Sequence, residues 1–471
     1  QAFKLASEQL SSQSHYDFGM RAVNTVIAAA GLLKRDNPTM NEEMLLLRSL
    51  RDSNVPKFLA NDVMLFNGII SDLFPEAQQS DTDHSALISS LRSACQRFNL
   101  QLNSHFQQKC IQLYETTILR HGLMLVGDTG GGKTMCYRAL AWAMTDQCKQ
   151  QNPKFQKVEY TVLNPKSVKM HQLYGDFARN TREWVPGVLA SEFKKFADDK
   201  SENRKWLIFD GPVDALWIET MNTVLDENKK LCLVSGAIIS MSSTMSMIFE
   251  VEDLAVASPA TVSRCGMVYL DPVTCVPTDA HVQRWIEKMH EGISSFAKEF
   301  KSLFEDYLEP ALEYLRKQTL MKEYVPSVNP NLIASCLNLL DSLFSEFDPR
   351  KMTGLSKDDI AQKLLQVAHV MEPYFIFSVI WSVGATCDHN GRKLFDKFIR
   401  SLTVTKNAQP LFPNEGLVYD YVFNAETREW NHWMKTIPEF QLSPKLQFQD
   451  MIIPTIDSVR YTWLMDKLLT N

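Results

Sequence analysis

The sequence predicts an α/β fold: a parallel sheet with helices on both faces, with helical domains before and after it. Three observations carry this. Between about residues 120 and 272, short apolar runs rich in β-formers alternate with helical stretches. Strands separated by helices of that length pair in parallel and bury both sheet faces. A glycine-rich segment, GDTGGGKT at 127–134, lies between the first of these runs and an apolar helix. Outside the block, the apolar periodicity is helical and strand signals are few.

Taken in order, RAVNTVIAAAGLLKR (21–35) and NEEMLLLRSLRD (41–52) have the three- and four-residue apolar spacing of helices. The strand runs are GLMLVG, KVEYTVL, KWLIFD, SMIFEVEDL and GMVYLD. Between the second and third, YGDFARNTREWVPGVLASEFKKF reads as an inserted hairpin and helix, with Trp184 as local core or as a contact for a moving element. Further on, NLIASCLNLLDSLF puts Leu332, Cys336, Leu339, Leu340 and Leu343 on one stripe. Ser356, three residues before Asp359, suits a cap for the helix that follows. From about 408 the texture changes. QPLFPNEG is a Pro/Gly linker, LVYDYVFNAETREWNHW reads as an aromatic hairpin, and FQDMIIPTIDSVRYTWLMDKLL begins another helical unit.

A chain of 471 residues exceeds one ordinary core, so about three domains are expected. With 45% apolar and 22% charged residues it is globular, and a net charge of −6 leaves no electrostatic footprint for nucleic acid. The apolar run YFIFSVIWSVGA reads as a buried helix too short to span a bilayer, so no membrane partner is expected. Nine cysteines without a CxxC pair fit a reducing compartment, and dispersed histidines such as His171 and His281 suggest no metal site. Helix-like ends and the absence of an initiator Met suggest a piece of something longer.

Strand, GDTGGGKT, helix is the context of a phosphate-binding loop. Gly127, Gly130, Gly131 and Gly132, with Asp128 and Thr129 between them, allow backbone N–H groups to turn inward around phosphate oxygens. Lys133 would reach the β- and γ-phosphates of ATP or ADP, and the Thr134 hydroxyl would bind Mg²⁺. Asp210 ends an apolar strand, where a carboxylate orients the magnesium shell through water. Its alternative role is to cap the next turn. Most ATPases of this design continue with a glutamate that activates water. Here Gly211 follows. Asp214 and Glu219 are the nearest acids that could substitute.

The loop at 127, DGPVDALWIETMNTVLDENKKLCL and MIFEVEDLAVASPATVSRCGMVYLDP together resemble the second AAA+ module of a dynein heavy chain, with wording closer to the axonemal branch than the cytoplasmic one. HYDFGMRAVNTVIAAAGLLKR is similar to the lid of a first module, and MIIPTIDSVRYTWLMDKLL to the entry of a third. The resemblance implies four segments: a preceding lid at 1–80, the α/β domain at 81–275, its own helical lid at 276–407, and a linker with the start of a third module at 408–471. It implies that Arg264 is an arginine finger pointing into the neighbour's site. Arg21 would be the first module's lid sensor. Asp253 falls near the polar sensor position, where Asn is usual, and Ile111 and Leu113 lie where the family holds adenine. At the second lid's matching place stands Thr386 instead of arginine. Without the resemblance, Arg264 reads as a surface ion pair and Arg21 as a snorkelling side chain.

Loss of an aligned base removes a 10²- to 10⁴-fold contribution, so nucleotide should be held more than hydrolysed. The resemblance implies the same. It further implies a ciliary motor in the axonemal cytoskeleton, partnered by the rest of its heavy chain, by microtubules and by intermediate and light chains. The competing readings are a self-sufficient AAA+ ATPase or chaperone with an unconventional base, and a small-molecule P-loop kinase.

Overall fold

The computed structural model describes every residue except 14–15, 37, 39, 76–82, 179, 353–356, 408–409, 438–453 and 471. The expected cap at Ser356 therefore lies outside the described residues. Packing divides the chain into two units, Gln1–Pro277 and Thr278–Asn471.

In the first unit, five strands form the central sheet: β1 (Gly122–Val126), β2 (Val158–Leu163), β3 (Arg204–Asp210), β4 (Met245–Val251) and β5 (Gly266–Tyr269). Their order is β2-β3-β4-β1-β5, and every pair is parallel. These are the five runs read from the sequence, so the α/β class expected there is the class found. The strands are apolar nearly throughout because both faces are covered. β1 is buried at all five positions and β4 at all seven.

Alternation along each strand assigns the faces. Leu123, Leu125, Trp206, Ile208 and Ile248 share a core with helices α5 (Ser85–Arg97), α6 (Ser104–Leu119) and α7 (Lys133–Lys149). Met124, Val126, Leu207, Phe209, Met247 and Phe249 pack on the opposite face with α8 (Val188–Asp198). The inserted hairpin is present, Gly175–Phe177 against Trp184–Pro186, with Phe177 and Trp184 edge to face at 5.2 Å. A second hairpin, Lys230–Cys232 with Ile238–Ser240, is one that the strand pattern does not announce.

Ahead of α5, helices α1 (Ala2–Gln9), α2 (Met20–Asp36), α3 (Glu42–Asn54) and α4 (Ala60–Leu73) build their own small core. Ala6, Val26, Leu50, Phe58, Phe66 and Ile70 meet there. α3 begins where the Asn41 side chain accepts from the Glu43 N–H at 3.1 Å, one of the donors a helix start leaves unpaired.

The second unit is helical. Leu332, Cys336, Leu339, Leu340 and Leu343 of α9 (Asn329–Phe344) are all buried, as their spacing requires. They pack with α10 (Val367–Ser382). The segment Val367–Thr386 is long and apolar enough by length and composition to cross a membrane, with mean hydropathy 1.3, contrary to the shorter run read from the sequence. In this fold it is 78% buried and forms the unit's centre. The aromatic hairpin is Tyr421–Asn424 with Glu429–His432. Trp433, after it, and Trp463, on α11 (Ile456–Thr470), lie 5.4 Å apart and share this core.

Candidate nucleotide-binding site

The loop leaves the end of β1 and turns into α7. Gly127 adopts φ 147°, and a Cβ there would lie 2.1 Å from the Leu270 carbonyl oxygen. Only glycine allows the chain to pass so close to β5. Gly132, at φ 86°, starts α7. Between them Asp128, Thr129 and Gly130 form the exposed crest, and the Gly131 N–H closes a turn on the Asp128 carbonyl at 3.1 Å. The result is a backbone concavity capped by the N-terminus of a 17-residue helix, whose first N–H groups have no partner within the helix.

Lys133 is buried, with its Nζ donating to the carbonyls of Gly127 at 2.5 Å and Asp128 at 3.0 Å. Burial pushes this ammonium below the ordinary lysine range, against the pull of Glu250 and other nearby acids. Its position at the loop is the one the motif requires.

The strand tips bring up the acids. Phe209 and Phe249 stack at 4.9 Å on the far face of the sheet, which directs Asp210 and Glu250, the next residues, to the α7 face. Asp210 and Glu250 are register partners on β3 and β4. Asp210 is exposed, whereas Glu250 is only 8% exposed. The Thr134 hydroxyl donates to Glu250 Oε1, and Glu250 Oε2 is buried without a hydrogen-bond partner. Burial first, and then Asp210, raise the Glu250 pKa against the opposing effects of Thr134 and Lys133. A glycine cradle, a lysine and a buried carboxylate with a spare oxygen fit a nucleotide's phosphates and its divalent cation.

Glu250 is the residue sequence reasoning missed. The reading placed the sensor at Asp253. In the structure Asp253 lies past the end of β4, where its Oδ1 accepts from the Ala255 N–H at 2.9 Å and closes a local turn. Period-2 alternation from Ile248 would have pointed to Glu250.

Of the substitute bases, Asp214 is ion-paired to Lys166 and accepts from the Leu216 N–H at 2.8 Å, and Glu219 is exposed on a short 3₁₀ turn. Gly211 continues the ladder, with its N–H 3.4 Å from the Glu250 carbonyl. Leu113 lies on α6 with no exposed surface, inside the core under the sheet, and Ile111 is half-buried on the same helix. The apolar groups nearest the loop are instead Phe106 and Val276, 3.4 and 3.3 Å from the point where a Gly132 Cβ would stand. Thr386, in the second unit, bonds back to the Val383 carbonyl at 2.9 Å.

Arg21 and Arg264 meet elsewhere in the first unit. Arg264 Nη1 donates to the Ala260 carbonyl at 2.8 Å, and its Nε pairs with Asp226 at 2.5 Å. Arg21 Nη1 reaches the same carbonyl at 3.3 Å and the Ser263 hydroxyl at 2.6 Å. Both line a cavity of about 710 Å³, together with Arg35, Arg120 and Lys229 and the acids Asp226 and Glu227. Its lining is therefore richer in cations than in acids, the balance a polyanion needs.

Three family models match the chain. Residues 1–134 match the hydrolytic ATP-binding site of the dynein motor region, 122–265 the AAA domain of the dynein-related subfamily, and 300–435 the dynein heavy chain AAA lid domain. Human dynein axonemal heavy chain 1 is 49% identical across 100% of the chain. The chain belongs to the axonemal dynein heavy chain family. Rat dynein axonemal heavy chain 12 is 43% identical and human dynein axonemal heavy chain 6 is 42% identical, each again over 100% of the chain. The chain spans 11% to 15% of the length of these dynein relatives. The AAA match identifies the sheet and its loop as a nucleotide-binding domain of the dynein type.

Proposed function

We propose that this chain carries the second AAA+ module of an axonemal dynein motor ring. In this reading residues 1–80 are the lid of the preceding module, 81–275 the α/β domain, 276–407 its own lid, and 408–471 a linker and the start of the next module. The module holds Mg-ATP or Mg-ADP at 127–134 and turns it over very little. Gly127 to Gly132 supply N–H groups, Lys133 the positive charge, and Thr134 and Asp210 the cation's shell. The cation, when bound, would supply positive charge to offset the negative charge of the phosphates.

One observation carries the holding role: the position after Asp210, where this design places its water-activating glutamate, has no side chain. Gly211 follows Asp210, Asp214 is tied to Lys166, and Asp253 is turned into its own loop. The placement beside a preceding module is supported by the cavity where Arg21 and Arg264 converge. Both would serve a nucleotide held by that module's loop. The larger assignment follows from this: a microtubule motor of the axoneme, working with the rest of its heavy chain and with intermediate and light chains.

Mg-ATP should bind this chain and raise its melting temperature, since a ligand at a hundredfold excess over Kd stabilises by about 2.7 kcal/mol. Steady-state turnover should stay negligible. A rate near one per second, abolished by Lys133→Ala, would refute the holding role.

Gly211→Glu alone should not create a robust ATPase. Gly211 has φ 159°, and a Cβ there would stand 3.1 Å from Asn164 Oδ1 and 3.7 Å from Pro165 Cδ, so the new side chain enters a crowded turn. A Gly211→Glu variant hydrolysing ATP at several per second would show that the missing glutamate was the whole deficit.

A further inference from the structure

We propose that Glu250 is a second cation-shell carboxylate, which with Asp210 and Thr134 makes nucleotide retention at the 127–134 loop depend on the divalent ion. The proposal rests on the reading of that loop as a nucleotide site and assigns a residue outside its motif.

A carboxylate in the middle of a buried parallel sheet is costly unless something pairs with it. β4 is buried at all seven positions, and Glu250 lies between Leu125 of β1 and Asp210 of β3. The side chain is 8% exposed, and of its two oxygens only Oε1 has a partner, the Thr134 hydroxyl. That hydroxyl is the group a phosphate-binding loop offers to its cation. Hard divalent cations prefer carboxylate and hydroxyl oxygen, and magnesium keeps several waters through which a carboxylate can act. The spare Oε2, the Thr134 oxygen and Asp210 on the neighbouring strand tip therefore supply three oxygen groups on one side of the loop. Lys133 stands at the Gly127 and Asp128 carbonyls.

The Phe209–Phe249 stack gives this arrangement its rigidity. It fixes β3 against β4 one residue before the two acids, so the backbone of neither strand tip can shift without disturbing a ring buried to 0% exposure. A water-activating role is not implied: Glu250 approaches the hydroxyl that faces the cation, not the position after Asp210.

The test is the affinity of fluorescent N-methylanthraniloyl-ADP with excess Mg²⁺ and with EDTA, in the parental chain and in Glu250→Gln, which keeps the size and the acceptor for Thr134. Glu250→Gln should bind the nucleotide about tenfold more weakly in Mg²⁺, yet equally or more tightly in EDTA, because a negative charge near the phosphates is gone. Titration with Mn²⁺ followed by its spin-resonance signal should show the same weakening of the ternary complex. Equal affinity of the two proteins in Mg²⁺ would overturn the proposal. So would a loss of the same size with and without the ion, which marks a merely structural glutamate. Melting of the ligand-free proteins separates misfolding from lost binding, and a Glu250→Gln chain that melts far below the parent would also count as structural. If the parental chain binds no nucleotide under either condition, the nucleotide-site reading itself fails, and this proposal with it.

Discussion

Arg264→Ala should lower the ATPase of the assembled motor by about 10³- to 10⁵-fold, the range an arginine finger supplies, while leaving nucleotide affinity at the 127–134 loop unchanged. The asymmetry follows from position. Arg264 lies before β5 and lines the cavity shared with Arg21, away from Lys133 and Thr134. Magnitudes separate this from a structural arginine. A finger of that strength corresponds to roughly 4 to 7 kcal/mol of barrier. The ion pair with Asp226 is 15% exposed on the Arg264 side and 37% on the Asp226 side, so with one partner near the surface it contributes on the order of 1 kcal/mol. The alanine variant should thus melt within a few degrees of the parent. Arg264→Lys should rescue poorly, because one ammonium does not reproduce a planar fork of donors. A variant motor with the parental rate would remove the finger assignment. Normal affinity with a sharply lower melting point would make Arg264 structural.

The second large effect is at Gly127. Gly127→Ala should weaken nucleotide binding by about 5- to 150-fold, the factor that corresponds to the 1–3 kcal/mol overpacking commonly costs. The added Cβ would stand 2.1 Å from the Leu270 carbonyl oxygen and 3.0 Å from its carbon, both backbone atoms. Neither can swing aside, because the Leu270 N–H is bonded to the Val126 carbonyl at 2.8 Å and its side chain has no exposure. The loop or β5 must shift. Lys133→Ala provides the contrast: it should also lose nucleotide, but the ligand-free chain should melt close to the parent, whereas Gly127→Ala should melt lower. A Gly127→Ala chain that binds nucleotide with parental affinity would contradict the geometry of the loop.

Much of the sheet was legible in the sequence because a parallel strand covered on both faces is an apolar run, and five such runs separated by helices leave few alternatives. The phosphate loop was legible because its chemistry is local: glycines for the turn, lysine and threonine at fixed offsets. Glu250 was not. FEVEDL offers three acids within four positions, and which of them meets the loop is decided by strand register and by which residue ends β4. The convergence of Arg21 and Arg264 on the Ala260 carbonyl joins residues more than 230 positions apart, and no local pattern encodes that. Leu113 looked like an adenine contact from its place before β1. Helical winding of α6 turns it inward, and Phe106 and Val276 reach the loop in its stead.

β5 gives these two sites a common ruler. One end of it, Gly266, lies two residues after Arg264 and its cavity, and the other runs into Leu270, whose carbonyl abuts Gly127 and Gly131. The strand advances about 3.3 Å per residue and is bonded to β1 along its length. The distance from the arginine turn to the phosphate loop is therefore set by an extended, hydrogen-bonded rod with almost no give. At the Leu270 end a Cβ on Gly127 would already stand 2.1 Å from the carbonyl oxygen, so the loop leaves that end of the rod no room to advance.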